Sequence, residues 1–424
     1  MSTPLNPKRT VAELRELRSL TADACGAQRV AFTAPWLAAR AWFRRKLEAL
    51  PVEVHADEAG NLWATLPGES SQALILGSHL DSVPNGGWLD GCLGVLAGLE
   101  ILRHLHARYP GRPPVTVRLV DWADEEGARF GKSLFGSSAC SGSLDLEEAR
   151  GLTDKDGIRL PDALKAVGID FDRVKECGRE LKGAAAYLEL HIEQGPVLLD
   201  LDRPLGAVLG TFGVERHALT FRGRAAHAGS TPMNRRRDAF LAAAKMSPEI
   251  YGVAERHGGV GTIGSCLTQP GIPTSVVGEC RITLDLRHLD AGALGRMLAD
   301  ARNAAERFAR EGGVTFAWSP LQRIGPVAFD PELLGLCGEA IAETAGEVRQ
   351  LPSGPLHDAA EVARAGVPVA MMFVQSLDGI SHHPGEDTKV EHLELAVAAF
   401  DCLAEKALQR LADASRPANC AYQG

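Results

Sequence analysis

The spacing of hydrophobic residues predicts strands that alternate with helices over much of the chain. Residues 73–76, 115–120 and 367–374 form apolar runs, which are typical of strands buried on both faces. Residues 95–108 carry leucines at helical spacing and lie between the first two of these runs. Strand–helix–strand alternation predicts an α/β fold with a mostly parallel sheet, and ligands of such sheets bind at the carboxyl ends of the strands.

The segments around these runs have less regular patterns. Residues 11–66 predict a helix followed by a strand, and residues 144–182 predict largely helical, solvated structure. Residues 188–193 alternate apolar and polar side chains, which predicts a half-polar strand carrying a histidine between two acids. A final helix is predicted over residues 391–411, followed by a polar tail at 412–424.

From residue 213 onwards the predicted elements change to a different order. They are a strand at 218–221, a helix at 238–256 with a break at Pro248, strands at 260–267 and 280–287, a helix at 291–310 and a strand at 314–318. The order βαββαβ is that of a ferredoxin-like unit. We therefore expect three segments: a metal-binding catalytic domain built from residues 1–211 and 326–424, and an inserted lid or dimerisation domain over residues 212–325.

Composition and charge exclude several classes of protein. The chain has 424 residues, 45% of them hydrophobic, and a net charge of -9, which argues against a nucleic-acid partner. The amino-terminal segment has no apolar signal core, and no stretch is long enough to span a membrane. Nine cysteines without a C-x-x-C pair suit reduced thiols, so we expect a cytoplasmic protein.

Five side chains that end or follow the predicted strands could together hold two cations: His79, Asp90, Glu126, His191 and His382. Imidazole nitrogens and carboxylate oxygens are the ligands that such a pair needs, with one carboxylate bridging the two ions. Asp90 follows His79 in a glycine-rich turn and can serve as that bridge. Any one of these histidines alone would more often be structural.

Two further acids lie beside these candidates. Asp81 is two residues after His79, and its carboxylate could fix the tautomer of that imidazole, although an exposed turn acid is the alternative. Glu125 precedes Glu126, so one carboxylate could bind a metal while its neighbour moves a proton. An adjacent Glu pair is otherwise common at the start of a solvated helix.

Seven segments, taken together and in order, resemble the hydantoinase/carbamoylase family of metal-dependent amidases, within the aminoacylase-like dinuclear metallohydrolases. The segments are GSHLDSVPNGGWLDGCLGV (77–95), DEEGARFG (124–131), ELHIEQGPVL (189–198), RAAHAGSTPM (224–233), LDLRH (284–288), SGPLHDA (353–359) and GISHHPGEDT (379–388). The resemblance implies one metal at His79, Asp90 and His191, a second at Asp90, Glu126 and His382, and Glu125 as general base. The metals implied are two divalent ions, Zn or Mn, with Co or Ni as alternatives.

The resemblance also implies residues that contact the substrate. His227 corresponds to a histidine that stabilises the oxyanion in the active site of a neighbouring subunit, which implies a homodimer. Arg287 corresponds to an arginine that binds the substrate carboxylate, and Gln194 and His357 are weaker candidates for contacts to the ureido group or carboxylate.

The chain departs from the family pattern at three positions. Thr274 stands where many relatives have an asparagine, Leu356 replaces a glycine, and His383 replaces a serine. The first two substitutions could reshape the substrate pocket, and none of the three changes a proposed metal ligand.

The sequence favours hydrolysis of a linear ureido or amide C–N bond next to a carboxylate, with a small carboxylate as substrate. N-carbamoyl-L-amino acid hydrolysis is the main hypothesis, and allantoate amidohydrolase or β-ureidopropionase activity is the alternative. A dinuclear dipeptidase or deacylase, and a metal-bound protein without turnover, remain open. A thiol amidase using Cys92 is disfavoured because no basic residue adjoins that thiol in the sequence.

Overall fold

The computed structural model describes residues 4–415, and the predicted polar tail beyond residue 415 lies outside the described residues. The strands are β1 (Ala22–Asp23), β2 (Gly26–Ala27), β3 (Glu53–Ala56), β4 (Leu62–Leu66), β5 (Ser70–His79), β6 (Val115–Trp122), β7 (Ala184–Ile192), β8 (Leu205–Thr211), β9 (Gly213–Arg222), β10 (Ala226–His227), β11 (Val260–Gln269), β12 (Ser275–Val276), β13 (Glu279–His288), β14 (Thr315–Ile324), β15 (Val327–Ala328), β16 (Gln350–Ser353) and β17 (Val369–Val374).

The α-helices are α1 (Pro7–Thr21), α2 (Ala34–Leu47), α3 (Cys92–Arg108), α4 (Phe135–Ser141), α5 (Leu146–Arg150), α6 (Leu160–Ala166), α7 (Val197–Asp200), α8 (Ala239–His257), α9 (Ala291–Gly312), α10 (Pro331–Ala345), α11 (Asp358–Arg364) and α12 (Val390–Ser415). Short 3-10 helices cover Phe171–Leu181, Met233–Arg235 and Leu377–Gly379. Among the described helices, none combines the length and the hydropathy that a membrane crossing requires.

The chain divides into two compact units. The first contains Met1–Leu209 and Phe329–Gly424, and the second contains Gly210–Ala328. Because the second unit is a single continuous segment, the first is assembled from the two parts of the chain that flank it.

The first unit is built on a sheet whose strand order is β8-β17-β7-β5-β6-β4-β3. The four neighbouring strands β17, β7, β5 and β6 run parallel, whereas β8, β4 and β3 are antiparallel to their neighbours. β16 pairs with β8, and β15 pairs with its last residues. The predicted α/β fold with a parallel central sheet is confirmed.

Helices on this sheet form a continuous apolar core. α3 contacts β5, β6 and β7, and α12 contacts β7 and β17. α3 is buried along most of its length, with Leu96, Leu99 and Leu102 fully inaccessible. At about 25 cal/mol per Å² of apolar surface, burial on this scale stabilises the sheet and holds its strand ends in place.

The second unit has the predicted element order βαββαβ, formed by β9, α8, β11, β13, α9 and β14. Its sheet order is β11-β13-β9-β14 with all neighbours antiparallel, and α8 and α9 pack on one core with it. Asp238 and Asp290 cap the two helices through backbone N–H groups, and Gly258 and Gly313 end them in the left-handed conformation.

Three local predictions differ from the structure. α2 was absent from the prediction, and residues 144–182 form α5, α6 and a 3-10 helix separated by turns rather than a largely helical segment. The alternating polar residues predicted for β7 are buried, and Glu189 among them accepts three hydrogen bonds inside the unit. α8 continues through Pro248, which lies on the solvent side, so that the carbonyl left without a partner can be hydrated.

Candidate metal centre

The side chains predicted to bind metal lie at the carboxyl ends of the parallel strands. His79 is the last residue of β5, His191 is the penultimate residue of β7, and Glu126 follows β6. Asp90 lies in the turn before α3, and His382 lies in the loop after β17. The topology therefore gathers residues from distant parts of the chain at one edge of the sheet.

The turn that carries Asp90 packs directly on His79. Gly91, the residue after Asp90, has a φ of 65°, and a Cβ on it would lie 2.4 Å from the His79 ring. Only glycine satisfies both conditions at this position. This close approach brings the Asp90 carboxylate to the imidazoles.

One group of candidate ligands consists of His79, Asp90 and His191. Asp90 Oδ1 is 3.3 Å from His191 Nε2 and 3.6 Å from His79 Nε2. His191 Nδ1 lies 2.9 Å from the Ile192 carbonyl, and His79 Nδ1 lies 3.2 Å from the Asp81 carbonyl. With a proton on Nδ1, each neutral ring turns the lone pair of Nε2 towards Asp90, which is the usual orientation of a metal-binding histidine.

The second group consists of Asp90, Glu126 and His382. His382 Nε2 is 3.1 Å from Glu126 Oε2 and 3.5 Å from Asp90 Oδ2. The candidate ligand atoms of each group lie within 4.8 Å of one another. Asp90 belongs to both groups, so its two oxygens can serve two different cations.

Asp81 contacts its neighbours differently from the prediction. The strand ends at His79, and the backbone carbonyl of Asp81, rather than its carboxylate, makes the closer contact with the imidazole. The Asp81 carboxylate instead accepts hydrogen bonds from the backbone N–H groups of Glu125 and Glu126, each at 3.2 Å. It thereby fixes the turn that presents these two acids.

The acids of this cluster are crowded and desolvated. Burial is the main cause that raises the pKa of Glu125 well above its usual value, and neighbouring carboxylates raise it further. Burial also raises the pKa of Glu126, and it raises that of Asp81 to about 7. Cations placed among these carboxylates would offset their mutual repulsion and desolvation.

The residues present fit divalent cations. Three histidine nitrogens and two carboxylate groups converge, and Nε2 of the buried His79 has no hydrogen-bond partner within residues 4–415. A buried nitrogen lone pair without a partner is costly unless a ligand satisfies it.

A cavity of about 400 Å³ opens over this cluster. Two of the predicted substrate contacts, Gln194 and His357, are on its wall together with Glu125 and Leu356. Gln194 donates a hydrogen bond of 2.8 Å to Asp90 Oδ2. His357 is buried with its ring centroid 4.5 Å from that of His191, and its Nε2 also has no hydrogen-bond partner in the described part of the chain.

Sequence reasoning did not assign roles to Ser133, Ser381 or Glu386. Ser133 and Ser381 line the cavity, and Glu386 is buried behind Asp90. Serine in a loop has no periodic pattern that would reveal it. Glu386 falls within the segment that carries His382, and that proximity was the available signal.

His227 and Arg287 belong to the second unit. His227 is exposed at the end of β10, and its Nδ1 accepts hydrogen bonds from the N–H groups of Gly229 and Ser230. A neutral His227 therefore carries its proton on Nε2, which can donate. Arg287 is on β13, where its Nε donates a 2.9 Å hydrogen bond to Asp285.

Comparisons with known proteins give a consistent result. The model of Peptidase family M20/M25/M40 matches residues 75–406. An N-carbamoyl-L-amino acid amidohydrolase from Geobacillus stearothermophilus is 37% identical over 85% of this chain and 88% of its own length. An allantoate amidohydrolase from Escherichia coli K12 is 34% identical over 89% of this chain and 92% of its own length.

Solved structures agree with the sequence comparison. A hydantoinase/carbamoylase family amidase from Burkholderia multivorans superposes with a TM-score of 0.87 at 31% identity, and the alignment covers 96% of this chain and 98% of that one.

Proposed function

Because the chain belongs to peptidase family M20/M25/M40, we propose that it is a metal-dependent amidohydrolase that cleaves N-carbamoyl-L-amino acids to the amino acid, ammonia and carbon dioxide. The observation that carries this proposal is the pair of ligand groups that share Asp90 inside one cavity. The similarity to N-carbamoyl-L-amino acid amidohydrolases over most of the chain supports the substrate class.

The cofactor we propose is a pair of divalent cations, Zn or Mn, with Co or Ni as alternatives. His79, Asp90 and His191 would hold one ion, and Asp90, Glu126 and His382 would hold the other. When bound, such ions lower the pKa of water to about 7 and polarise a carbonyl group.

Glu125 is the proposed general base. Its Oε2 is 3.7 Å from His79 Nε2, and its side chain lines the cavity without occupying a place in either ligand group. It would accept a proton from the attacking water and pass that proton to the departing amine. Asp81 supports this role by binding the backbone N–H of Glu125.

Substrate contacts are proposed on both units. Arg287 would bind the substrate carboxylate through its planar donors, and His227 would donate from Nε2 to the developing oxyanion. The hydrogen bonds that His227 Nδ1 accepts support this assignment, because they favour a proton on Nε2. Gln194 and His357, on the cavity wall, would contact the ureido group.

We assign residues 1–211 and 326–424 to the catalytic domain and residues 212–325 to a lid or dimerisation domain. The chain would act as a cytoplasmic homodimer in which His227 serves the partner subunit. β11 is an edge strand of the second sheet and carries the exposed Leu267, and a strand at such an edge can pair with a strand of another chain. Five of the eight described cysteines, all of them free, are buried, which suits a reducing compartment.

Ammonia release from a panel of substrates tests the proposal. N-carbamoyl-L-amino acids, N-carbamoyl-β-alanine and allantoate are compared with N-acyl amino acids and dipeptides, with and without added Mn or Zn. We expect the carbamoyl substrates to give the highest kcat/KM and a chelator to abolish turnover. The similarity to allantoate amidohydrolases makes allantoate the second candidate substrate.

Glu125→Gln provides the matched test of mechanism. It should keep the metal content and lose most of kcat, whereas Glu147→Gln, on an exposed face of α5, should leave both unchanged. The proposal would be contradicted if the protein hydrolysed dipeptides but none of the carbamoyl substrates, or if Glu125→Gln retained full activity.

A further inference from the structure

Glu386 is a buried carboxylate that is not a member of either ligand group. It nevertheless contacts the turn that carries Asp90 and lies in the loop that carries His382. It is 2% exposed. Its Oε1 accepts hydrogen bonds from the backbone N–H groups of Leu89 and Asp90, at 3.0 and 3.1 Å. Its side chain therefore fixes the backbone of the residue that both groups share.

Ser381 connects Glu386 to the Asp90 side chain. Its Oγ is 2.6 Å from Glu386 Oε2 and 2.7 Å from Asp90 Oδ2, and it immediately precedes His382 in the chain. Glu386 is thus connected to Asp90 twice, through the backbone and through the Ser381 hydroxyl.

The loop that carries His382 needs such support. His382 has a φ of 55°, a left-handed conformation that is unfavourable for a residue other than glycine and persists only where its surroundings hold it. The N–H of Glu386 donates to the His383 carbonyl at 3.0 Å, which closes a turn immediately after His382.

The opposite wall of the Glu386 pocket is built to admit this carboxylate. A Cβ on Gly87 would lie 2.0 Å from Glu386 Oε1. Any side chain at position 87 would push the carboxylate away from the N–H groups that it binds.

We propose that Glu386 is a positioning residue that locks the Asp90 turn to the His382 loop and thereby sets the affinity of the cation held by Asp90, Glu126 and His382. The inference rests on the metal centre of the proposed function. Removing a residue that orients metal ligands typically costs about 10–100-fold in metal affinity.

The test is titration of Mn²⁺ into metal-free protein, followed by calorimetry and by electron paramagnetic resonance of the bound ion. Glu386→Ala is compared with wild type, with His382→Ala, which removes a ligand outright, and with Glu391→Ala, an exposed acid at the start of α12. Thermal unfolding of each metal-free variant controls for loss of the fold.

We expect Glu386→Ala to weaken about 10–100-fold the same binding step that His382→Ala removes. The other step should weaken less, because His79 and His191 keep their own contacts with backbone carbonyls. Gly87→Ala, which crowds the pocket from the other side, should have the same effect. Glu386→Gln should retain most of the affinity, because its amide oxygen accepts both N–H groups and its amide nitrogen donates to Ser381, which can still donate to Asp90.

The outcomes separate the two proposals. If wild type binds fewer than two cations per chain, the proposed metal centre fails. If wild type binds two and Glu386→Ala binds both as tightly, or both equally weakly, the positioning role fails. Loss of affinity in Glu386→Gln equal to that in Glu386→Ala would also overturn it, because only the negative charge would then matter.

Discussion

Arg40 Nε donates a 2.7 Å hydrogen bond to Asp121 Oδ2, and both side chains are buried. The other oxygen of Asp121 accepts the backbone N–H of Leu80 at 2.8 Å, directly after His79. This ion pair therefore connects α2, which the sequence did not reveal, to the strand end that carries the first candidate ligand.

Replacing Arg40 by Met should be strongly destabilising. The change leaves the buried Asp121 carboxylate without its cation, which costs about 3–5 kcal/mol. Urea unfolding measures the loss, and Arg45→Met, an exposed arginine on the same helix, is the control. The double variant Arg40→Met/Asp121→Asn should recover part of the stability. A loss no larger than that of Arg45→Met would show that the pair contributes little.

His227 should be required in trans. His227→Ala and Glu125→Gln are each expected to lose activity, by about 100- to 1000-fold for His227→Ala, since an oxyanion donor is removed. If His227 acts on the partner subunit, mixing the two variants under conditions of subunit exchange should restore about a quarter of wild-type activity, because half of the dimers then contain one complete site. In the control mixture, the double variant His227→Ala/Glu125→Gln replaces one of the two single variants, so that no dimer contains a complete site.

Subunit exchange is verified by light scattering of tagged chains. If exchange occurs and the mixture does not regain activity, His227 acts in the active site of its own chain or has no role in catalysis.

His104 should make stability depend on pH. Its Nδ1 is 2.8 Å from Asp401 Oδ1, and this hydrogen bond is the main cause that raises the pKa of His104. A pKa raised by folding stabilises the protein fully below the unfolded value of about 6.5 and no longer does so once the pH passes the raised value. The stability difference between wild type and His104→Gln should therefore be larger at about pH 6 than at about pH 9. Urea unfolding at both values measures it, and equal differences would contradict the prediction.

Leu356 should restrict the substrate side chain. It lines the cavity beside Pro355, at a position where members of the hydantoinase/carbamoylase family commonly have glycine. Leu356→Gly is expected to raise kcat/KM for bulky N-carbamoyl amino acids relative to small ones by about 10-fold, which is the usual range for a change of apolar volume in a pocket. The ratio between N-carbamoyl derivatives of a bulky and a small amino acid measures this effect. An unchanged ratio would place the side-chain pocket elsewhere.

The convergence of the candidate ligands could be predicted because strand ends are visible in the sequence. The apolar run before His79 and the alternation before His191 both indicate where a strand ends, and the topology of parallel strands brings such ends together. The contacts of Asp81 could not be predicted, because they depend on the residue at which β5 ends. The sequence left that point ambiguous by two residues, and the carbonyl rather than the carboxylate reaches His79.

Glu386 escaped prediction for a different reason. Its partners are the backbone N–H groups of Leu89 and Asp90, which lie 297 and 296 residues earlier in the chain. Any segment can offer backbone donors, so no residue type at positions 89 and 90 points to a buried acid. Proline disfavours the interior of a helix, and α8 continues through Pro248 because this residue lies on the exposed face, which the sequence pattern does not reveal.

β17 lies between β7 and β8 in the sheet, although the whole second unit separates it from them along the chain. During synthesis on the ribosome, β7 and β8 emerge early and must wait for the strand that belongs between them. His382 emerges later still. The growing chain therefore lacks one of the candidate metal ligands until residue 382 has been translated, and a product terminated before β17 would also have an incomplete sheet.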